Sequence, residues 1–376
     1  MDTRPTKSEA KKPTGTETMT RDIGQATPWP RRDVLRNALL GGLAASLIAP
    51  TRSVHAISDQ EKTLYERAKA EREVTWYTSQ VLGETAQRIV SAFNASYPDI
   101  KVNLLRASGQ VMYQRVMQEI SMNALAADVV SLSDTGGQQQ ELKEAGQFAQ
   151  YKPSRANEVL PAFRNADPDG FYHVTVVALT VIVYNTKLVK PEDMPKTWAD
   201  LADPKWKGKV AIGHPAFSSL STAWVTKMNA LYGWGFLEKL AKNDTQVTRN
   251  INDTTTLVTA GERALGTTPA PTARPGVAKG NPIGIIYPED GALLAASPSG
   301  VVKNAKHPNA ARLLMEFLLG PECAKVIVAD FGDSIRPDVP SPGGKPLDQI
   351  KTISPTAEES RNMANLVEPF RTLFGF

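Results

Sequence analysis

Cysteine and histidine are scarce: the 376 residues hold one cysteine, Cys323, and four histidines. A single thiol excludes a disulfide within the chain, a cysteine-based metal cluster and a paired-thiol redox site. His173, His214 and His307 do not fall in a pattern that would gather them on one metal. Neither a Ser-His-acid set nor a two-metal cluster emerges, so hydrolytic chemistry lacks its parts. Charge of one sign is missing too, once the first 56 residues are set apart. They carry nine of the 43 basic and five of the 39 acidic side chains, which leaves 34 of each. The basic pI therefore belongs to the leading segment, and nothing implies a nucleic-acid surface.

That leading segment reads as an export signal. A polar stretch ends in Pro30-Arg31-Arg32-Asp33-Val34-Leu35-Arg36, a small-residue apolar run covers 38–49, and Val54-His55-Ala56 is a small-x-small cleavage site. Twelve apolar residues are too few to span a bilayer, which needs roughly 20. The paired arginines resemble a twin-arginine signal, with Val34 and Arg36 departing from the usual Phe and Lys. A short uncleaved anchor is the alternative. With no Cys after the cut, lipid anchoring there is excluded. Cleavage leaves 320 residues, more than one ordinary core, so two lobes are expected.

From Glu73 onward, short β-branched runs alternate with helix-period stretches, which indicates an α/β fold. Val74-Thr75-Trp76-Tyr77 reads as a strand. It breaks at Ser79-Gln80, and a helix follows with Ala86, Ile89, Val90, Phe93 and Tyr97 on one stripe. Residues 100–104 and 127–132 repeat the pattern, with turns at Ser108-Gly109 and at Ser133-Asp134-Thr135-Gly136-Gly137. Residues 171–185 form a β-rich run too long for one ordinary strand, and could cross between lobes; 282–291 reads as the return crossing. Trp198, Trp206 and Lys-Gly-Lys at 207–209 lead into a strand at 210–213. A further hydroxyl turn, Ser218-Ser219, opens the next helix. The cluster at 252–256, including Thr254 and Thr255, is expected to cap a helix over 257–262. Residues 263–268 form a strand ending in Thr267-Thr268, a loop covers 267–276, and 336–346 is a surface loop.

These features together resemble type 2 periplasmic solute-binding proteins of ABC importers, most closely the ferric-binding and phosphonate/organophosphate branch. The likeness covers residues 70–340, and Asp203-Pro204-Lys205-Trp206-Lys207-Gly208-Lys209 is its most specific part. It implies two α/β lobes joined by two crossing strands, with the ligand clamped between them. On this reading 57–177 and 293–376 make one lobe and 178–292 the other. The ferric branch places a His after strand one, an acid after strand three and paired tyrosines in lobe two. Here Val81 stands at the first, Ser133-Asp134 could keep the second, and Thr267-Thr268-Pro269 replaces the third. Threonine hydroxyls and a valine cannot replace phenolate and imidazole ligands for a hard Fe(III).

What remains suits a small oxyanion or polar organic acid, held by hydroxyls and helix N-terminal N–H groups. The candidate ligand residues are Ser79, Gln80, Ser108, Gly109, Ser133, Asp134, Thr135, Ser218, Ser219, Thr254, Thr255 and Thr267. Arg274 or Arg336 would add positive charge, and Tyr184 and Tyr287 would either line the cleft or pack in the hinge. Ser and Thr before helices are commonly caps alone. The expected protein is a monomeric periplasmic receptor, not an enzyme. It needs no cofactor, metal or nucleic acid and delivers an organophosphate, phosphonate or carboxylate to permease subunits. Iron with a bound anion, an enzyme on the same fold, and a signalling receptor are the alternatives.

Overall fold

A computed structural model describes residues 58–133, 137–341 and 345–376. The signal reading of residues 1–56, and the candidates Asp134, Thr135 and Gly136, lie outside them. The first lobe opens with α1 (Asp59–Ala68), started by a reciprocal Ser58/Glu61 capping box. There follow β1 (Glu73–Thr78), α2 (Gly83–Ser96), β2 (Lys101–Arg106), α3 (Gly109–Ser121), β3 (Val129–Ser131) and α4 (Gln138–Glu144). The expected stripe on α2 is buried throughout, Ala86, Ile89, Val90 and Phe93 packing with Trp76 and Phe317. Glu61 is itself buried and receives both Nε and Nη2 of Arg155, at 3.0 and 2.7 Å, so α1 is bolted to the lobe it starts.

The long run becomes β4 (Tyr172–Asn185), one strand of 14 residues. Beyond it come β5 (Val210–Gly213), α5 (Ser219–Tyr232), α6 (Trp234–Lys242), β6 (Gln246–Thr248), α7 (Asp253–Ala260), β7 (Leu265–Pro269) and α8 (Ala270–Ala278). The chain continues through β8 (Ile283–Ile286), β9 (Ala292–Val301), α9 (Pro308–Leu319), α10 (Pro321–Ala329), β10 (Thr352–Ile353), α11 (Ala357–Arg361) and α12 (Val367–Phe374). The sheet order is β2-β1-β3-β9-β4-β7-β5-β6. Its two ends are parallel, as α/β lobes require, and its middle is antiparallel. Tyr172 to Thr180 of β4 pair with β9, and Thr180 to Tyr184 pair with β7. Strands β4 and β9 therefore join the lobes.

Three expectations change. The return crossing is β9, not residues 282–291; β8 within that stretch is a four-residue strand on the end of β4. Strand β9 is rich in Ala and Ser, and at Gly300 a neighbour lies close: a Cβ built there would stand 2.8 Å from the Phe148 ring. Residues 270–278 are helix α8, not loop, with Pro271 harmless in its first turn and Pro275 inside. Helix α7 begins at Asp253, so the hydroxyl cluster lies in its first turn instead of before it.

The Trp-rich segment is core. Trp198, Trp206 and Trp224 are buried with Phe236. The indole Nε1–H of Trp198 donates to the Gly291 carbonyl at 2.8 Å, and its backbone N–H to Asp290 at 3.0 Å. Tyr232 donates to the same carboxylate, which gives Asp290-Gly291 its place at the foot of β9. Met363 and Phe370 complete this second-lobe cluster. The chain end, which the sequence reading puts with 57–177, thus packs on the other lobe.

Candidate functional site

Strands β1 and β3 lie side by side, with Thr78 opposite Ser131. Just past their carboxyl ends, Ser79 Oγ accepts the Ser133 N–H at 2.8 Å and lies 3.2 Å from Ser133 Oγ. Under this pair runs a buried polar chain that the sequence reading missed. Trp76 Nε1–H donates to Ser131 Oγ at 2.8 Å, Ser131 Oγ meets Ser299 Oγ at 2.6 Å, and Ser299 meets Thr175 Oγ1 at 2.7 Å. Its only trace in the sequence is a hydroxyl within each of three largely apolar strands. Gln80 belongs to the same chain: its amide nitrogen donates to the carbonyls of Ser297 and Pro298, and its oxygen accepts from Thr175. Gln80 is therefore a strut between β1 and β9.

From the second lobe comes the start of α5. Ser218 is its N-cap, with Oγ accepting the Ser221 N–H at 3.4 Å. Ser219 is the next residue. Ser108 precedes α3 with an exposed side chain that makes no cap bond. These two helix ends meet: a Cβ built on Gly109 would lie 2.7 Å from Ser133 Oγ and 3.8 Å from Ser219 Oγ. Gly109 has no positive φ, so the absence of a side chain there answers a need for space. Ser79, Ser108-Gly109, Ser133 and Ser218-Ser219 thus converge at the carboxyl ends of β1, β3 and β5. Both helix N-termini direct partial positive charge at that meeting point.

The remaining candidates are spent on packing. Thr254 Oγ1 donates to the carbonyls of Ile251 and Thr267, and Thr255 Oγ1 to Thr268 Oγ1 at 3.0 Å. Thr267 is 1 % exposed within β7. Arg274 pairs with Asp333 at 2.6 Å, donates to the Phe331 carbonyl, and reaches the Tyr287 hydroxyl at 3.3 Å. Arg336 is held bidentately by Asp338 and also by Glu158 and the Leu319 carbonyl. Both guanidiniums are thus engaged by partners within the protein. Tyr184 lies against Gly284 in the hinge, where a Cβ would not fit.

The three described histidines, His173, His214 and His307, have partners within the fold. His214 Nδ1 accepts the Ala216 N–H while its ring packs on Phe217, Phe370 and Phe376; burial, with help from Arg371, holds its pKa below the usual value. His173 is also depressed by burial, despite its bond to the Tyr151 carbonyl. His307 Nδ1 is paired with Asp128. Burial pushes the Cys323 thiol up to about 12, so it stays protonated and inert. Among the described residues no group of three His, Cys, Asp or Glu side chains could hold a metal.

The fold is that of a two-lobed α/β binding protein. Residues 127–348, more than half of the chain, match the family of bacterial extracellular solute-binding proteins, and the chain belongs to that family. Iron uptake protein A2 of Synechocystis is 25% identical over 271 residues, 66% of this chain and 74% of that protein. A Salmonella typhimurium protein named for binding 2-aminoethylphosphonate is 26% identical over 184 residues, 46% of this chain and 54% of that one. Iron-bound HitA from Pseudomonas aeruginosa has the same fold, with a TM-score of 0.69 at 22% identity, covering 80% of this chain and 99% of that one. Likewise AfuA from Actinobacillus pleuropneumoniae, with fructose-6-phosphate bound, gives 0.68 at 19% identity, covering 81% and 99%.

Proposed function

We propose that this protein is the periplasmic receptor of an ABC importer. In this reading it captures a small anionic solute, an organophosphate, phosphonate or carboxylate, between its lobes and delivers it to permease subunits. The meeting of the α3 and α5 N-termini across Gly109 and Ser219, beside Ser79 and Ser133, is the observation that carries it. Hydroxyls and helix-end N–H groups attract an oxyanion without titrating. Residues 1–56 act as the twin-arginine-type signal that exports it. The lobes are 57–177 with 293 to about 350, and 178–292 with the chain end; closure about β4 and β9 buries the solute. A receptor binds and releases, and no catalytic set is part of this reading.

Ferric binding is the second reading, favoured by the iron-uptake relatives. Against it stand Val81 at the imidazole position and Thr267-Thr268 at the phenolate positions, where Thr267 is sealed in β7. A thermal-shift titration of the purified protein separates the two. The anion reading expects 2-aminoethylphosphonate, fructose 6-phosphate or citrate to raise the melting temperature by mass action. Ser219→Ala and Ser133→Ala should shrink that rise without lowering the ligand-free midpoint. A rise with Fe(III) alone, and with no organic anion, would discard the anion reading.

A further inference from the structure

The cations expected to serve the ligand, Arg274 and Arg336, are themselves buried and are paired with Asp333 and with Asp338 and Glu158, which leaves an anion site without charge. Two other arginines stand where they could supply it. Arg106 is the last residue of β2, the edge strand of the first lobe, and Arg249 immediately follows β6, the edge strand of the second. Both are exposed. Arg106 donates Nε–H to the Val81 carbonyl at 3.1 Å, which fixes its stem and leaves the two Nη groups uncommitted. The guanidinium of Arg249 lies over the Phe217 ring, 4.8 Å from its centroid. Stacking of this kind orients the fork without consuming an N–H. Among the described residues neither arginine has a carboxylate in ion-pair range.

Their placement around the cleft follows from chain connectivity. Gly109, three residues beyond Arg106, meets Ser219, two residues beyond Phe217. Ligands of such sheets bind at the carboxyl ends of the parallel strands, and at each parallel end of this sheet an arginine ends or immediately follows the outermost strand. We propose that Arg106 and Arg249 form a two-sided cationic lip that recruits the solute. The lip selects a dianionic oxyanion, a phosphate monoester or phosphonate, over a monocarboxylate or a neutral sugar. Two like charges on opposite lips resist closure until an anion lies between them, so capture and closure are coupled.

This inference rests on the anion reading, and stopped-flow tryptophan fluorescence with fructose 6-phosphate, at low and at physiological ionic strength, distinguishes their failures. Arg106→Gln and Arg249→Gln are each expected to slow association on the order of five- to ten-fold at low ionic strength, less at higher, as for electrostatic steering. Arg249→Lys should keep most of the rate and lose part of the affinity. The ligand-free melting temperature should not move in any variant. If wild type binds and both Gln variants bind at the same rate with the same salt dependence, the lip is refuted while the site stands. If wild type binds neither fructose 6-phosphate nor 2-aminoethylphosphonate, both the site reading and the lip fall.

Discussion

Replacing Arg274 by methionine asks whether this guanidinium is a ligand group or a strut. Its side chain is 4 % exposed and that of Asp333 1 %, so no water can take over when the partner goes. Asp333 Oδ2 already has no hydrogen-bond partner. In Arg274→Met the carboxylate loses its ion pair and the donor to Oδ1, and the bond to the Phe331 carbonyl is lost as well. Breaking a buried pair on one side costs about 3–5 kcal/mol, whereas replacing both partners by apolar groups is often neutral or better. Arg274→Met should therefore lose about 3–5 kcal/mol in urea unfolding, and Arg274→Met/Asp333→Leu should recover most of it. The deficit of the single variant should narrow on acidification, because an unpaired buried Asp333 prefers its proton and the folded state then binds it more tightly than the unfolded chain. A single variant that unfolds like wild type yet no longer binds anions would refute the strut and restore Arg274 to the ligand set.

Gly109→Leu should displace the Ser133 hydroxyl and reach Ser219, weakening anion binding while leaving the ligand-free melting temperature unchanged; calorimetric titration beside a thermal scan checks both. Glu61→Gln removes the buried carboxylate that faces Arg155, which keeps Glu158 at 3.2 Å, and should cost about 1.5–3 kcal/mol and expose α1 to limited proteolysis. His173 and His214 are both held below the ordinary histidine value by burial. Their stabilising contribution is complete above about pH 6.5 and is lost as pH falls through that value, because the unfolded chain gains protons that the folded one refuses. Urea midpoints at pH 7.5 and 5.5 should therefore fall on acidification, and His214→Gln should flatten part of that fall.

Helices with regular stripes were legible in the sequence: Ala86, Ile89, Val90 and Phe93 are spaced for one face and all four are buried on it. The crossing strand β4 was legible from its unbroken β-branched run. Its partner was not, since Ala292 to Val301 has small residues where a strand usually has branched ones; at Gly300 the reason, contact with Phe148, lies far away in the chain. Two prolines hid α8. In the candidate site, turn chemistry identified Ser79, Ser133, Gly109 and Ser219, which the fold brings together. It could not separate them from Thr254 or Gln80, because the partners of those side chains come from distant strands. The partner of Arg274 was hidden for the same cause: Asp333 is 59 residues further on. The free arginines, 106 and 249, carry no local pattern at all.

Hydrogen–deuterium exchange on the purified protein, with and without saturating fructose 6-phosphate, tests the central claim most directly. The account predicts slowed exchange in peptides covering residues 79–82, 108–112 and 218–222 together, from both lobes, and no change over 345–350. Protection confined to one lobe, or centred on Thr254 and Arg274, would contradict it.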